Sequence, residues 1–188
     1  MYLSLQFGRG IAALLVVIFH LGSIVGAEKY FDIPGLLVPY ALGATGVHFF
    51  FVLSGFVIYS AHRNDLFQPR KYLPYVAKRL IRIYPIYWII FLSVYSAAVL
   101  IPGFEHRALY DWHVILKSLL LFPQNQAVVG GTGAPVIEVA WTLQMEMVFY
   151  FLFGLFILGR TVASLAVLIL ALIYINREYL GDDFLIRF

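Results

Sequence analysis

The chain has 188 residues, of which 62% are hydrophobic and only 12% charged, and it carries a net charge of +3 with no cysteine. An ordinary soluble domain has about twice that share of charge. Cysteine-free composition excludes disulfides, thiolate metal sites and a cysteinyl acyl-enzyme, and leaves the redox compartment unreadable. The basic residues flank apolar runs instead of forming a patch, so they read as membrane topology and not as a nucleic-acid surface.

The first apolar stretch, Phe7 to Ala27, predicts a span over about Gly8 to Ala27 and contains Arg9 and His20. Val25-Gly26-Ala27 before Glu28 resembles a small-residue cleavage site, but the run is long for a signal and has a histidine inside it, so a retained span is the better reading. A charged side chain at membrane depth costs about 2.5–3.5 kcal/mol on insertion scales, so such residues usually face a bundle interior and mark a working site. At about 100° per residue, positions 9 and 20 fall on one helix face, about 16 Å apart along the axis. Taken singly, Arg9 fits a snorkelling anchor and His20 an interhelical hydrogen bond. Together they put a fixed cation and an imidazole on one stripe.

After a polar connection (Glu28, Lys29, Asp32, Pro34) a second span is expected from Leu36 to Ala61, opening with the small residues Gly43, Ala44 and Gly46. The basic stretch Arg63, Arg70, Lys71, Lys78, Arg79 and Arg82 then predicts a cytoplasmic loop, with the amino terminus on the same side. Pro74 to Ile83 reads as an interfacial helix, with a kink or break near Tyr84 caused by Pro85. A third span follows over Tyr84 to Ile101, with Tyr and Trp at its entry as an interfacial belt. Leu109 to Phe122 is too short to cross and contains Lys117, so it reads as interfacial or re-entrant. Gln124 to Pro135 reads as a glycine-rich loop. Two further spans are expected, Val136 to Leu158 and Val162 to Ile175, with Arg160 between them and Asp182 and Asp183 beyond. The fold class is an all-α polytopic transmembrane bundle of five to six apolar helices, treated as a single domain over residues 1–188.

Arg79 and Arg82 share a helix face; guanidinium groups bind phosphate bidentately, although loop topology and anionic lipid explain them equally well. Glu138 sits at the start of its apolar run and fits interfacial water. Glu146 lies deeper, among Leu143, Met145, Met147 and Val148, and needs a partner or a proton there. His48 and His62 have no metal-ligand spacing, Gly130-Gly131-Thr132-Gly133 lacks the lysine of a phosphate loop, and Ser54 is not in a nucleophile elbow.

Four segments in order resemble the membrane-bound acyltransferase 3 family. Arg9 and His20 match its Arg-x10-His motif. Phe49-Phe50-Phe51-Val52-Leu53-Ser54-Gly55-Phe56 is similar to its Phe-Phe-x-x-Ser-Gly-Phe segment. Arg79-Leu80-Ile81-Arg82-Ile83-Tyr84-Pro85 is similar to its Arg-x-x-Arg loop with Tyr-Pro. Trp141-Thr142-Leu143-Gln144-Met145-Glu146 through Phe149-Tyr150 is similar to its Trp-Ser-Leu-x-x-Glu-x-x-Phe-Tyr signature, with Thr142 for serine and Met147 where a second acid is common. Family members are longer, so the resemblance implies an amino-terminal half.

The resemblance also implies an enzyme of a bacterial inner membrane that moves an acyl group, acetyl in the usual case, from cytoplasmic acyl-CoA (acetyl-CoA) to a carbohydrate hydroxyl, with no permanently bound cofactor. His20 would be the base or a transient acyl carrier, and Arg9 would bind CoA phosphates or align donor and acceptor. Arg79 and Arg82 would anchor the CoA phosphates, Glu146 would orient His20 or a facing arginine, and Ser54 and Trp141 would contact substrate. The residues alone leave two other readings open: a transporter or channel with Arg9, His20 and Glu146 along its path, and a catalytically silent remnant.

Overall fold

The computed structural model describes residues 3–26, 38–101, 111–125, 129–134 and 136–176. The connection through Glu28, Lys29, Asp32 and Pro34, the end of the small-residue cleavage-like site at Ala27, and the acidic pair Asp182 and Asp183 lie outside them. The architecture is all-α, with no strand among the described residues. Among the described residues, four helical segments are long and apolar enough to cross a membrane: Leu5–Gly22, Thr45–His62, Pro69–Leu100 and Glu138–Leu158; Arg160–Ile175 is apolar but shorter. In hydrocarbon every backbone N–H and C=O must be satisfied within the segment, which is why apolar runs of this length become helices whatever their local propensities. The chain forms two units, one ending at Asn64 and the other beginning at Asp65.

The first unit is an antiparallel pair, α1 (Leu3–Gly26) and α2 (Val38–His62). Lipid is as apolar as leucine, so the pair is held by close backbone approach and not by hydrophobic exclusion. The seam shows how close. A β-carbon on Gly46 would stand 2.7 Å from the Ala12 carbonyl oxygen, and one on Gly43 would stand 2.4 Å from the Phe19 β-carbon. Gly8 of α1 similarly receives the Phe49 ring. Ala12 is buried at the centre of this seam.

The second unit is built on α3 (Tyr72–Leu100), entered through a 3-10 turn at Pro69–Lys71. Of the expected interfacial helix with a kink or break near Tyr84, the break is corrected: α3 runs unbroken through Pro85. Pro74 is harmless, because the first four N–H groups of a helix have no intrahelical partner. Pro85 removes one donor to the Ile81 carbonyl, but ending the helix there would orphan several more groups in an apolar setting, so continuing is the smaller penalty.

Helix α5 (Trp141–Leu158), preceded by a 3-10 turn at Glu138–Ala140, packs antiparallel to the first part of α3. The Tyr75 hydroxyl donates to the Tyr150 carbonyl at 3.2 Å, Gly154 admits the Tyr72 ring, and the Phe67 N–H donates to the Phe156 carbonyl at 3.0 Å. Helix α6 (Arg160–Ile175) returns along α5, and the Arg160 guanidinium lies 5.0 Å over the Phe67 ring. Arg160 therefore sits at the same end of this unit as Arg70 and Lys71.

The segment expected to be interfacial or re-entrant contains α4 (Trp112–Leu119), eight residues and so about 12 Å long, too short to cross. Asp111 caps its start, accepting from the His113 N–H at 2.8 Å. Its end is satisfied almost entirely by protein. Leu121, in the left-handed region at φ 56°, sends its N–H to Ser118, and the Phe122 N–H reaches Lys117, the two bonds of a Schellman cap. Leucine replaces the usual glycine there, and its burial at 2% exposure offsets the strained backbone. One face of α3 supplies further donors: Tyr87 gives the Ser118 carbonyl a second bond at 2.6 Å, and Trp88 donates to Leu119 at 3.0 Å and Tyr84 to Leu120 at 2.7 Å. These aromatics, read from sequence as an interfacial belt, dock a helix end.

Gln144 of α5 completes the docking. Its Nε2 donates to the Phe122 carbonyl at 3.2 Å and the Gly133 carbonyl at 3.4 Å, tying both ends of the intervening loop to α5. Gln144→Leu is expected to destabilise the protein by about 1–2 kcal/mol, measured as thermal unfolding in mild detergent. Each carbonyl left without its donor costs about 1–3 kcal/mol. Part is recovered because the Gln144 Oε1, buried without a donor among the described residues, is removed too.

Candidate active site

The sequence-predicted site residues divide between the units. Arg9, His20 and Ser54 belong to the first; Arg79, Arg82, Trp141 and Glu146 belong to the second.

On α1 the seam with α2 is formed by Gly8, Ala12, Leu15 and Phe19. Arg9 and His20 lie together on the flank of that seam, close to a quarter-turn away, and both are exposed within the unit. The His20 ring stands edge-on to that of Phe19 at 5.3 Å. The pair thus forms a polar stripe on an apolar helix, to one side of the contact that holds that helix in place. Such a stripe can meet a substrate without disturbing the packing. Ser54 is half-buried on α2, beside the buried Leu53.

In the second unit the antiparallel pairing sets the chemistry. Tyr75 meets Tyr150, so four residues on along α3 and four back along α5 bring Arg79 level with Glu146. The Tyr150 hydroxyl donates to Glu146 Oε1 in a short hydrogen bond. The Arg79 guanidinium lies 5.2 Å from the Tyr150 ring centroid and 5.4 Å from that of Tyr75. Arg79 is half-buried with its Nε fully enclosed, whereas Arg82, one turn on, is exposed and lies within electrostatic reach of the Tyr150 hydroxyl. A guanidinium and a carboxylate are thereby gathered around one phenol beside an apolar helix of spanning length. Intramembrane ionisable groups are tolerated in that kind of arrangement. Trp141, half-buried, opens α5 at the end of the preceding 3-10 turn.

Reasoning from sequence missed Tyr75 and Tyr150. The local signal was present: Tyr75 precedes Arg79 by four residues and Tyr150 follows Glu146 by four, the spacing of neighbours on one helix face. Gln144 was also missed, because its partners lie on a distant loop.

The model of an acyltransferase domain family, acyltransferase 3, matches residues 2–180. Over 147 residues the chain is 32% identical to the exopolysaccharide production protein ExoZ of Rhizobium meliloti (strain 1021), a match covering 77% of this chain and 44% of that protein. The match therefore covers less than half the length of this curated relative. No solved structure matches it significantly. The family match runs through α1 and its Arg9–His20 stripe, through α3 with Arg79 and Arg82, and through α5 with Glu146: the chain belongs to the acyltransferase 3 family.

Proposed function

We propose that the protein transfers an acyl group, acetyl in the simplest case, from acyl-CoA to a hydroxyl of a cell-surface carbohydrate. The observation that carries this reading is the Arg9–His20 stripe, on a helix held by a tight seam and exposed on the flank of that seam, in a chain of this family. The relative's printed role in exopolysaccharide production supports a carbohydrate acceptor.

A hydroxyl is a weak nucleophile until a base takes its proton. His20 accepts that proton as the acceptor oxygen attacks the thioester carbonyl. The new C–O bond forms, the C–S bond breaks, and the departing CoA sulfur receives a proton. Arg9 aligns the donor beside His20. Exposed Arg82 contacts CoA phosphate, half-buried Arg79 supplies a second fixed cation, and Glu146 balances it. Ser54 and Trp141 contact substrate. The positive-inside rule supports a cytoplasmic side for the basic segment around Arg70 to Arg82, where acyl-CoA is found.

The test is acyl transfer from acetyl-CoA by the protein in its membrane. Arg82→Ala is expected to raise the KM for acetyl-CoA about tenfold with little change in kcat, as for a charge-assisted hydrogen bond to phosphate. Solute flux through membrane vesicles with no turnover of acetyl-CoA would overturn the proposal in favour of a transport path.

A further inference from the structure

We propose that Arg79 is a positioning residue that neutralises the Glu146 carboxylate within the α3–α5 contact, and so leaves Arg82 to bind the phosphates of the acyl donor. The proposal rests on the donor reading above and deepens it. Of two arginines to which the resemblance gives one task, only Arg82 meets the ligand, and Arg79 acts through it.

The geometry separates the two. Arg79 is turned into the protein. Its guanidinium carbon lies 5.4 Å from the Tyr75 ring centroid and 5.2 Å from that of Tyr150, within the range of cation–π contacts, and its Nε is enclosed. It donates a hydrogen bond to the Tyr75 hydroxyl, which itself donates to the Tyr150 carbonyl at 3.2 Å. Both tyrosines are buried, at 2% and 4% exposure, and Tyr75 lies against the Phe153 ring at 5.7 Å. The surroundings of Arg79 are therefore made by the helix contact itself. Arg82, one turn further along α3, is exposed.

Glu146 is the group that links them. It is half-buried on α5, and its Oε1 accepts from the Tyr150 hydroxyl. That hydroxyl lies within electrostatic reach of Arg79 and of Arg82 alike. A carboxylate beside apolar helices of spanning length requires a counter-charge. Arg79 supplies it from inside the contact. Without Arg79 the carboxylate draws on Arg82, whose fork binds a carboxylate and a phosphate by the same pair of parallel N–H bonds. Glu146 and the donor then compete for one guanidinium, and the presence of Arg79 decides that competition for the donor.

Two measurements on the membrane protein in mild detergent test this, each on wild type, Arg79→Gln and the double variant Arg79→Gln/Glu146→Gln. The first is the ratio of the affinity for CoA to that for phosphate-free pantetheine. A loss of fold lowers both affinities, whereas a captured Arg82 lowers the ratio. Arg79→Gln is expected to reduce the ratio about tenfold, the size of a charge-assisted hydrogen bond to phosphate. The double variant is expected to return to within about threefold of wild type, because the two positions are coupled and not additive. The second is the rate at which phenylglyoxal modifies each arginine, read by mass spectrometry without ligand. In wild type Arg82 is expected to react several-fold faster than Arg79. Its rate is expected to fall several-fold in Arg79→Gln and to recover in the double variant.

Arg79→Gln protein that discriminates as well as wild type overturns the proposal. A loss that the double variant does not recover overturns it too, since Arg79 would then contact the donor itself. Equal modification of Arg79 and Arg82 in wild type does the same without any variant. A wild type that does not prefer CoA to pantetheine overturns the donor reading instead, and the Arg82 modification rates then decide the capture by Glu146 on their own.

Discussion

His20→Ala is expected to lower kcat for acyl transfer by about 10²- to 10⁴-fold, the range over which a positioned general base contributes. The same substitution is expected to leave thermal stability in detergent within about 0.5 kcal/mol, as for surface changes away from packed features. The two expectations belong together. His20 is exposed within its unit and off the seam that joins α1 to α2, so removing its ring opens no cavity in that contact. A fall in rate without a fall in stability therefore reports chemistry. The pairing also separates a base from a histidine that is only a packing group, which would lose both. Rates are to be measured with saturating acetyl-CoA and carbohydrate acceptor, with Arg9→Ala beside it as an alignment variant whose loss appears in both kcat and KM. Wild-type turnover by the His20→Ala protein would remove the base from the mechanism.

Gly46→Val is expected to destabilise the protein by about 3 kcal/mol and to abolish activity with it, from the overpacking of a tight contact. A β-carbon at this position meets the Ala12 carbonyl oxygen at 2.7 Å and the Leu15 and Val16 side chains at 3.2 Å each. The first of these is backbone and cannot rotate out of the way, so the helices must move apart, and that separation forfeits the close approach on which association in lipid depends. Gly10→Ala is the matched control. It lies on α1, the other helix of the pair, where nothing stands within 4 Å of its added carbon. It is expected to be neutral or to stabilise by about 0.5–1 kcal/mol, since glycine in a helix interior is the worse helix former. Unfolding of both variants in the same detergent checks the pair, and equal effects at the two glycines would show that the seam does not hold this unit together.

Much of this was legible in the sequence because the membrane imposes a simple rule. Long apolar runs with basic residues between them yield helices at nearly the expected places, and the expected end of the second span at Ala61 lies one residue from the end of α2 at His62, its expected start at Leu36 lying outside the described residues. The short apolar stretch with Lys117 became a helix too short to cross, as its length required. The continuity of α3 was not legible, because the rule for proline is local while the penalty for ending a helix comes from its surroundings. Nor was the pairing of Arg79 with Glu146 through Tyr150. Those residues are far apart in sequence, and only the antiparallel register of α3 and α5 makes them neighbours. Tyr84, Tyr87 and Trp88 show the same limit. Their composition fits a membrane interface, and their hydrogen bonds could be assigned only once α4 had a position.

The stitching of α4 to α3 has a consequence for which changes this helix can accept. Tyr84, Tyr87 and Trp88 fix the rotation of α3 about its axis at one level, and the tyrosine contacts of Arg79 fix it at another, little more than one turn away. Inserting or deleting a single residue between them would turn one set by about 100° against the other, so both could not be kept. The stretch from Leu80 to Ile83 is therefore constrained in length more strictly than in composition. Leu80, Ile81 and Ile83 can exchange one apolar side chain for another around Arg82, but the stretch cannot gain or lose a residue without uncoupling the guanidinium from the docked helix end.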